Sequence, residues 1–356
     1  MKKLINQPEN SLNEMLLGMT KAYPEYLTRL ENTNVLIRQN LDGQKVAVVS
    51  GGGSGHEPTH AGYIGKGMLD AAVAGDIFTS PTPDQIYEAI KAVDRGKGVL
   101  LVVKNYSGDV MNFDMAKELA EMEGIEIEQV IVNDDVAVED STFTAGRRGI
   151  AGTVLVHKIA GAAVERGWDL QKVKAVAEKS IKRIHSMGMA LSPCTVPSAG
   201  KPNFTLAEDE VEIGTGIHGE PGTHREKIKT ADELTEELFN KIQADEPIKS
   251  GEEVALMVNG MGATPLMELY IVNNKVHDLL KSLGTTIHRT FVGEYMTSLE
   301  MAGMSLTVLK LDDELKSLLD DPADTPAFKI INKKGWMTYG RTESSNRCTE
   351  SRGRHH

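Results

Sequence analysis

Short β-rich runs alternate with amphipathic helical stretches along most of the chain, and that alternation commits it to α/β construction. Residues 45–50 (KVAVVS), 98–106 (GVLLVVKNY) and 127–133 (IEQVIVN) read as strands, and 83–94 and 109–124 as the helices between them. Apolar residues spaced three and four apart predict two consecutive helices over 150–167 and 170–187. Residues 188–221 then turn rich in Gly, Pro, Ser and Thr, with short strand-like pieces at 204–206 and 211–213. A second alternating stretch follows. It holds a helix over 230–245, a strand over 253–259, a long helix over 265–283, and strands over 285–292 and 305–311 before a short helix. The expectation is α/β, with two domains of mixed or parallel sheet flanked by helices: 1–184 and 185–331, joined near His185. Residues 332–356 read as a tail, disordered or left from purification. From Met337 they have almost no apolar content, and they end Arg352-Gly353-Arg354-His355-His356.

Composition narrows the function classes. With 356 residues, 40% hydrophobic and 25% charged, the chain can bury a large core without covalent staples. Cys194 and Cys348 alone build neither a disulfide framework nor a thiolate metal cluster, which fits a reducing cytoplasm. A formal net charge of −12 argues against nucleic acid or an anionic membrane as partner. Charges interrupt the apolar runs well short of a membrane span, and the start reaches Pro8 and Glu9 before a signal-like core forms. A cytoplasmic location is expected.

Three constellations carry chemistry. The first strand runs straight into Gly51-Gly52-Gly53-Ser54-Gly55-His56, where glycines allow close backbone approach to a ligand. No Walker loop fits, because no Gly-Lys-Ser/Thr follows at the required spacing. The dinucleotide fingerprint and the nucleophile elbow both fail at His56, which stands where each needs a glycine. At the end of the next strand sit Lys104, Asn105, Tyr106, Ser107, Gly108 and Asp109. Neighbouring parallel strands open their carboxyl ends on one crevice, so His56, Lys104 and Asp109 should converge; a helix cap is the plain alternative for Asp109. The third is Gly214-Thr215-Gly216-Ile217-His218-Gly219-Glu220-Pro221-Gly222, a loop too rich in Gly and Pro for helix or central strand. It should expose His218 to approach from several sides; a solvent-exposed turn histidine is the bland alternative.

Other candidates are weaker. His157, His185, His277 and His288 fall in helical or strand-like stretches and read as packing or surface residues. His60 and His224 lie near the two loops, but their spacing assigns them no work. Asp134, Asp135, Glu139 and Asp140 could hold Mg²⁺, yet match no calcium-loop spacing and read as a solvated loop.

Taken together, the segments SGGGSGHEPTHAGYIGKGML from Ser50, FTSPTPDQI from Phe78, KNYSGDVMNF from Lys104 and DDVAVEDSTFTAGRRGIAGT from Asp134 resemble the K subunit of dihydroxyacetone kinases. So do CTVPSAGKP from Cys194, FTLAEDEVEIGTGIHGEPG from Phe204 and NGMGATPLMELY from Asn259, and the likeness runs in order to about residue 331. The resemblance implies that fold type, and that a ring nitrogen of His218 attacks the substrate carbonyl to hold dihydroxyacetone as a hemiaminal. It places the other substrate contacts on Gly53, Ser54, Gly55, His56, Lys104 and Asp109. Asp109 would accept the proton of the attacking hydroxyl, and His56 would serve as acid/base or stabilise charge. Glycerol lacks a carbonyl and would be excluded by chemistry rather than by pocket size.

The resemblance further implies no metal and no cofactor in this chain, and a homodimer. Single-chain ATP-dependent members carry a further helical nucleotide-binding domain after this region. The expectation here is the phosphotransferase-system type, a phosphoenolpyruvate–glycerone phosphotransferase. There a separate L subunit holding ADP and Mg²⁺ passes on a phosphoryl group received through a multiphosphoryl carrier, the M subunit. Two other readings compete. Kinase-like co-activators of transcription capture dihydroxyacetone without phosphorylating it, and would need His218 but not the acid/base residues. A tubulin-like GTPase is suggested by GGGSG, but its loop does not continue as His56-Glu57-Pro58.

Overall fold

Val46, Val48, Leu100 and Val102 pack into one apolar cluster, whereas Ala47, Val49, Leu101 and Val103 pack into another. That alternation makes the strands they build buried on both faces, as continuous apolar runs require. The structure is a computed structural model and describes residues 2–137 and 146–331. Its first sheet contains β1 (Leu27–Arg29), β2 (Val35–Arg38), β3 (Ala47–Ser54), β4 (Ala71–Ile77), β5 (Val99–Lys104) and β6 (Ile127–Val132), in the order β1-β2-β4-β3-β5-β6. The strands β4, β3, β5 and β6 run parallel, and β2 joins β4 antiparallel. The second sheet contains β7 (Ile184–Ala190), β8 (Glu210–Ile213), β9 (His224–Lys227), β10 (Glu253–Gly260), β11 (Thr286–Gly293) and β12 (Gly303–Leu311), ordered β11-β10-β12-β7-β8-β9. There only β10 and β11 pair in parallel.

The helices are α1 (Ser11–Ala22), α2 (Pro83–Val93), α3 (Ser107–Met122), α4 (Thr153–Glu165), α5 (Leu170–Ile181), α6 (Ala231–Asp245), α7 (Leu266–Ser282) and α8 (Asp313–Asp320). Every residue of α4 from Thr153 to Val164 is buried, the pattern of a helix enclosed on all sides. One apolar cluster runs from Val48 and Leu100 of the first sheet through Leu155 and Ile159 of α4 to Ala255, Met257 and Leu309 of the second. Both sheets therefore close over the same core. A separate cluster under α6 and α7 covers the second sheet's other face. No helix among the described residues is long and apolar enough to cross a membrane.

Several expectations change. The first strand does not end at Ser50: Gly51, Gly52 and Gly53 continue β3, pairing with Val73, Ala74 and Gly75 of β4. Residues 170–187 are not one helix, because α5 stops at Ile181 and Ile184 opens β7, whose pairing with β12 overrides the helical spacing. Residues 204–206 form no strand. β4 carries no strand signal of its own, since its Ala-Ala-Val-Ala-Gly run lacks the β-branched density that marks a strand. The Glu139 and Asp140 part of the acidic run and the tail residues 332–356, including Cys348, His355 and His356, lie outside the described residues.

Candidate functional site

Parallel pairing of β3 with β5 brings the ends of both strands to one side. Past β3, the left-handed Gly55 (φ 103°) turns the chain so that His56 folds back into the protein. Past β5, the chain enters α3 after Tyr106, and Asp109 falls in the first helical turn. Asp109 does not cap that helix. Its Oδ1 accepts from the Ser80 hydroxyl and its Oδ2 lies 3.3 Å from the Lys104 ammonium, with both side chains of this pair buried. A Cβ on Gly52 would sit 2.3 Å from Lys104 Nζ, so the ammonium lies against bare backbone.

The second sheet contributes the rest. The Thr297 and Leu299 amides donate to the His56 and Gly55 carbonyls at 3.2 and 2.7 Å, tying the segment after β11 to the glycine loop. The Thr297 carbonyl accepts from His56 Nδ1 at 2.8 Å, which leaves the lone pair of that ring on Nε2. Nε2 is buried and has no hydrogen-bond partner among the described residues. Burial, then the charges of His218 and Lys104, push the His56 imidazole well below its ordinary value, so it is neutral at neutral pH.

His218, in the loop after β8, is less open than its glycine-rich surroundings predict, and this corrects the expectation of approach from several sides. Its ring meets Tyr106, His56 and Phe78 edge-on, with centroids 4.7, 4.8 and 5.1 Å away, and its side chain is 20% exposed. The walls come from the first sheet's loops, which local sequence cannot reveal. Phe78 also stacks on His56 at 5.1 Å and holds φ at 58°, a strained conformation for a bulky residue. Glu220 grips His218 from below. Its Oε2 accepts from the His218 amide at 2.9 Å and its Oε1 from Nδ1 at 2.8 Å. The histidine proton thus sits on Nδ1, which leaves the lone pair of that ring on Nε2.

Burial alone would raise the Glu220 carboxyl, but the His218 ring, its hydrogen bonds and the Arg148 guanidinium hold it at about 2, against an ordinary 4.5. A depressed carboxylate stabilises the fold above its unfolded value and ceases to do so as pH falls through the folded one. The stability gap between the protein and its Glu220→Gln variant should therefore be full near neutral pH. It should shrink from about pH 4.5 toward about 2 in urea titrations. A gap constant over that range would contradict the assignment.

The structure thus gathers His56, Lys104, Asp109 and His218. Gly53 and Ser54 lie in β3, and the Ser54 hydroxyl donates to the Gly75 carbonyl at 2.7 Å. The Gly55 amide is held by Glu57. Ser80, Phe78, Tyr106, Glu220 and Arg148 stand in the segments singled out from the sequence but were assigned no role there, although Glu220 is two residues from His218 in a glycine-rich loop. Asp134 and Asp135 are buried rather than solvated, which corrects the reading of that segment. Asp134 accepts the Ile150 and Gly152 amides at 2.8 Å each, anchoring the approach to α4, and Asp135 pairs with Arg148. Among the described residues His224, Glu226 and Glu237 bring ligand atoms within 4.8 Å of one another. Lys229 already bridges both carboxylates with its ammonium, which offsets one of their two charges.

A site that gathers two imidazoles, a buried carboxylate and an ammonium is what this fold builds, and the chain belongs to the Dak1-domain family, whose model matches residues 17–327. It is 56% identical over 329 residues to the PTS-dependent dihydroxyacetone kinase 1, dihydroxyacetone-binding subunit, of Listeria innocua, covering 92% of this chain and all of that one. Among solved structures it resembles the dihydroxyacetone kinase operon co-activator Dha-DhaQ, with TM-score 0.84 and 40% identity over 88% of this chain and 97% of that chain. It also resembles the dihydroxyacetone kinase of C. freundii, with TM-score 0.84 and 34% identity, covering 99% of this chain and 64% of that one.

Proposed function

We propose that this chain is the dihydroxyacetone-binding subunit of a phosphoenolpyruvate-dependent dihydroxyacetone kinase. The carrying observation is His218, whose Nδ1 proton is fixed by Glu220 so that Nε2 presents a lone pair beside His56. As Nε2 adds to the substrate carbonyl, a C–N bond forms, the C=O π electrons pass to the oxygen, and that oxygen takes a proton from solvent. The ring gains positive character that the Glu220 carboxylate stabilises. The result is a hemiaminal that holds a terminal hydroxyl in place for phosphoryl transfer, converting part of the entropic cost into binding already made.

Asp109 then accepts the proton of that hydroxyl as it attacks the donor's phosphorus. His56, neutral and with its lone pair on Nε2, accepts a hydrogen bond from the substrate or takes up its proton. Lys104 offsets the negative charge that develops on the substrate side. Gly53, Ser54 and Gly55 shape the approach. The phosphoryl group would come from ADP and Mg²⁺ chemistry on a separate L subunit, charged through an M-type carrier, with this chain acting as a cytoplasmic homodimer. The relatives' naming as PTS-dependent binding subunits supports this route over a nucleotide site in this chain.

The test uses dihydroxyacetone labelled with ¹³C at the carbonyl carbon. Mixed with the protein, it should lose its ketone resonance and gain a protein-bound tetrahedral one, while labelled glycerol gives no bound signal. A bound ketone that keeps its carbonyl resonance would refute covalent capture. Adding a donor subunit from a related system separates enzyme from co-activator. Capture with turnover supports the kinase, and capture without it supports the co-activator reading, to which the fold match lends its own weight.

A further inference from the structure

Lys104 Nζ reaches three acceptors: His60 Nε2 at 3.0 Å, the Gly51 carbonyl at 3.3 Å and Asp109 Oδ2 at 3.3 Å. An ammonium has three protons, so each contact can be a donated bond. The shortest goes to His60, a residue given no role so far. To accept it, His60 must leave Nε2 unprotonated and carry its proton on Nδ1. That proton faces His157 Nε2 at 3.0 Å and Ser50 Oγ at 3.2 Å, while Ser50 donates its own proton to the Val102 carbonyl at 2.6 Å. His157 in turn carries its proton on Nδ1, a buried atom with no partner among the described residues. Lys104 and His157 are fully buried and His60 nearly so. Burial, then the Lys104 charge, keeps both imidazoles below their ordinary value, His157 at about 3, so neither competes for the ammonium's proton.

We propose that His60 and His157 are positioning residues for Lys104, forming a directional chain of hydrogen bonds that fixes the ammonium against the glycine run. The bond to His60 stays, while the two longer bonds to Gly51 and Asp109 exchange for a substrate oxygen. Without His60, the ammonium's remaining strong partner is Asp109, and the tighter ion pair withholds both groups from the substrate. His157 accepts from His60 Nδ1 at the far end of the chain and so holds the His60 ring in place. This inference rests on Lys104 acting on bound substrate, as proposed above, but its geometry does not.

Two measurements test it. Nitrogen-15 spectra of the histidine-labelled protein at neutral pH should show His60 and His157 both protonated on Nδ1 and bare on Nε2. A His60 ring protonated on Nε2 cannot accept from an ammonium and would overturn the chain. In turnover with the donor subunit, His60→Leu should lower kcat about 10- to 100-fold, the size of one charge-assisted hydrogen bond, with carbonyl capture on His218 retained. In a Lys104→Met background the same substitution should change kcat by less than about 2-fold, since the partner it acts through is gone. Equal losses in both backgrounds, or loss of capture, would overturn the proposal. A protein that neither captures nor phosphorylates dihydroxyacetone refutes the proposed function instead, and the tautomers still decide the chain.

Discussion

The substitution His218→Gln is expected to abolish covalent capture of dihydroxyacetone and to lower phosphorylation by at least ~10³-fold, the scale of a lost tether. The side chain keeps nearly the same reach, and its amide can still donate to Glu220 in place of Nδ1, so the loop has no cause to collapse. An amide nitrogen, with its lone pair delocalised into the carbonyl, has nothing to offer an electrophilic carbon. Asp109→Asn separates the steps. Capture should survive, because Asp109 bonds Ser80 and Lys104 rather than His218, while turnover falls by about 10²- to 10⁴-fold with the loss of the proton acceptor. The ¹³C experiment reads capture and a coupled assay reads turnover. If His218→Gln still yields a tetrahedral adduct, another residue is the nucleophile and the proposed mechanism is wrong.

The groups with their own chemistry were legible because the sequence places them at strand ends. Lys104 closes an apolar run, His56 follows the glycines that prolong another, and Asp109 opens the helix after Lys104, so parallel pairing alone predicts their meeting. His218 was legible from loop composition. What composition hid was its confinement: Tyr106 and Phe78 wall the ring from segments more than a hundred residues away in the chain. The same holds for His60, since a histidine a few residues past the glycine run carries no local mark of contact with Lys104 or His157. Periodicity also misled where two structures share one pattern. The three-and-four spacing over 170–187 fits a helix, yet Ile184 to Met187 pair with β12, because tertiary pairing outweighs helical propensity there.

The largest expected stability effect lies behind the site, at Arg148. Its guanidinium is wholly buried and grips Asp135 through Nε at 2.8 Å and Nη2 at 2.7 Å, while Nη2 also donates to the Gly214 carbonyl at 2.7 Å, at the root of the His218 loop. Burial pushes the Asp135 carboxyl up to about 6 against the pull of Arg148, so the pair is still charged at neutral pH. Arg148→Met keeps much of the volume but leaves Asp135 a buried charge without its partner, at a cost of about 3–5 kcal/mol in urea unfolding at pH 7. The second substitution Asp135→Leu removes that orphaned charge and should recover a large part of the loss, since an apolar pair can replace a buried ion pair at little net cost. Capture should behave differently. Gly214 loses its donor in both variants and Glu220 loses a positive neighbour, so the double variant should regain stability while its adduct remains weakened. If stability does not recover, the stranded charge is not what Arg148 offsets, and its bond to Gly214 is what holds the loop in place.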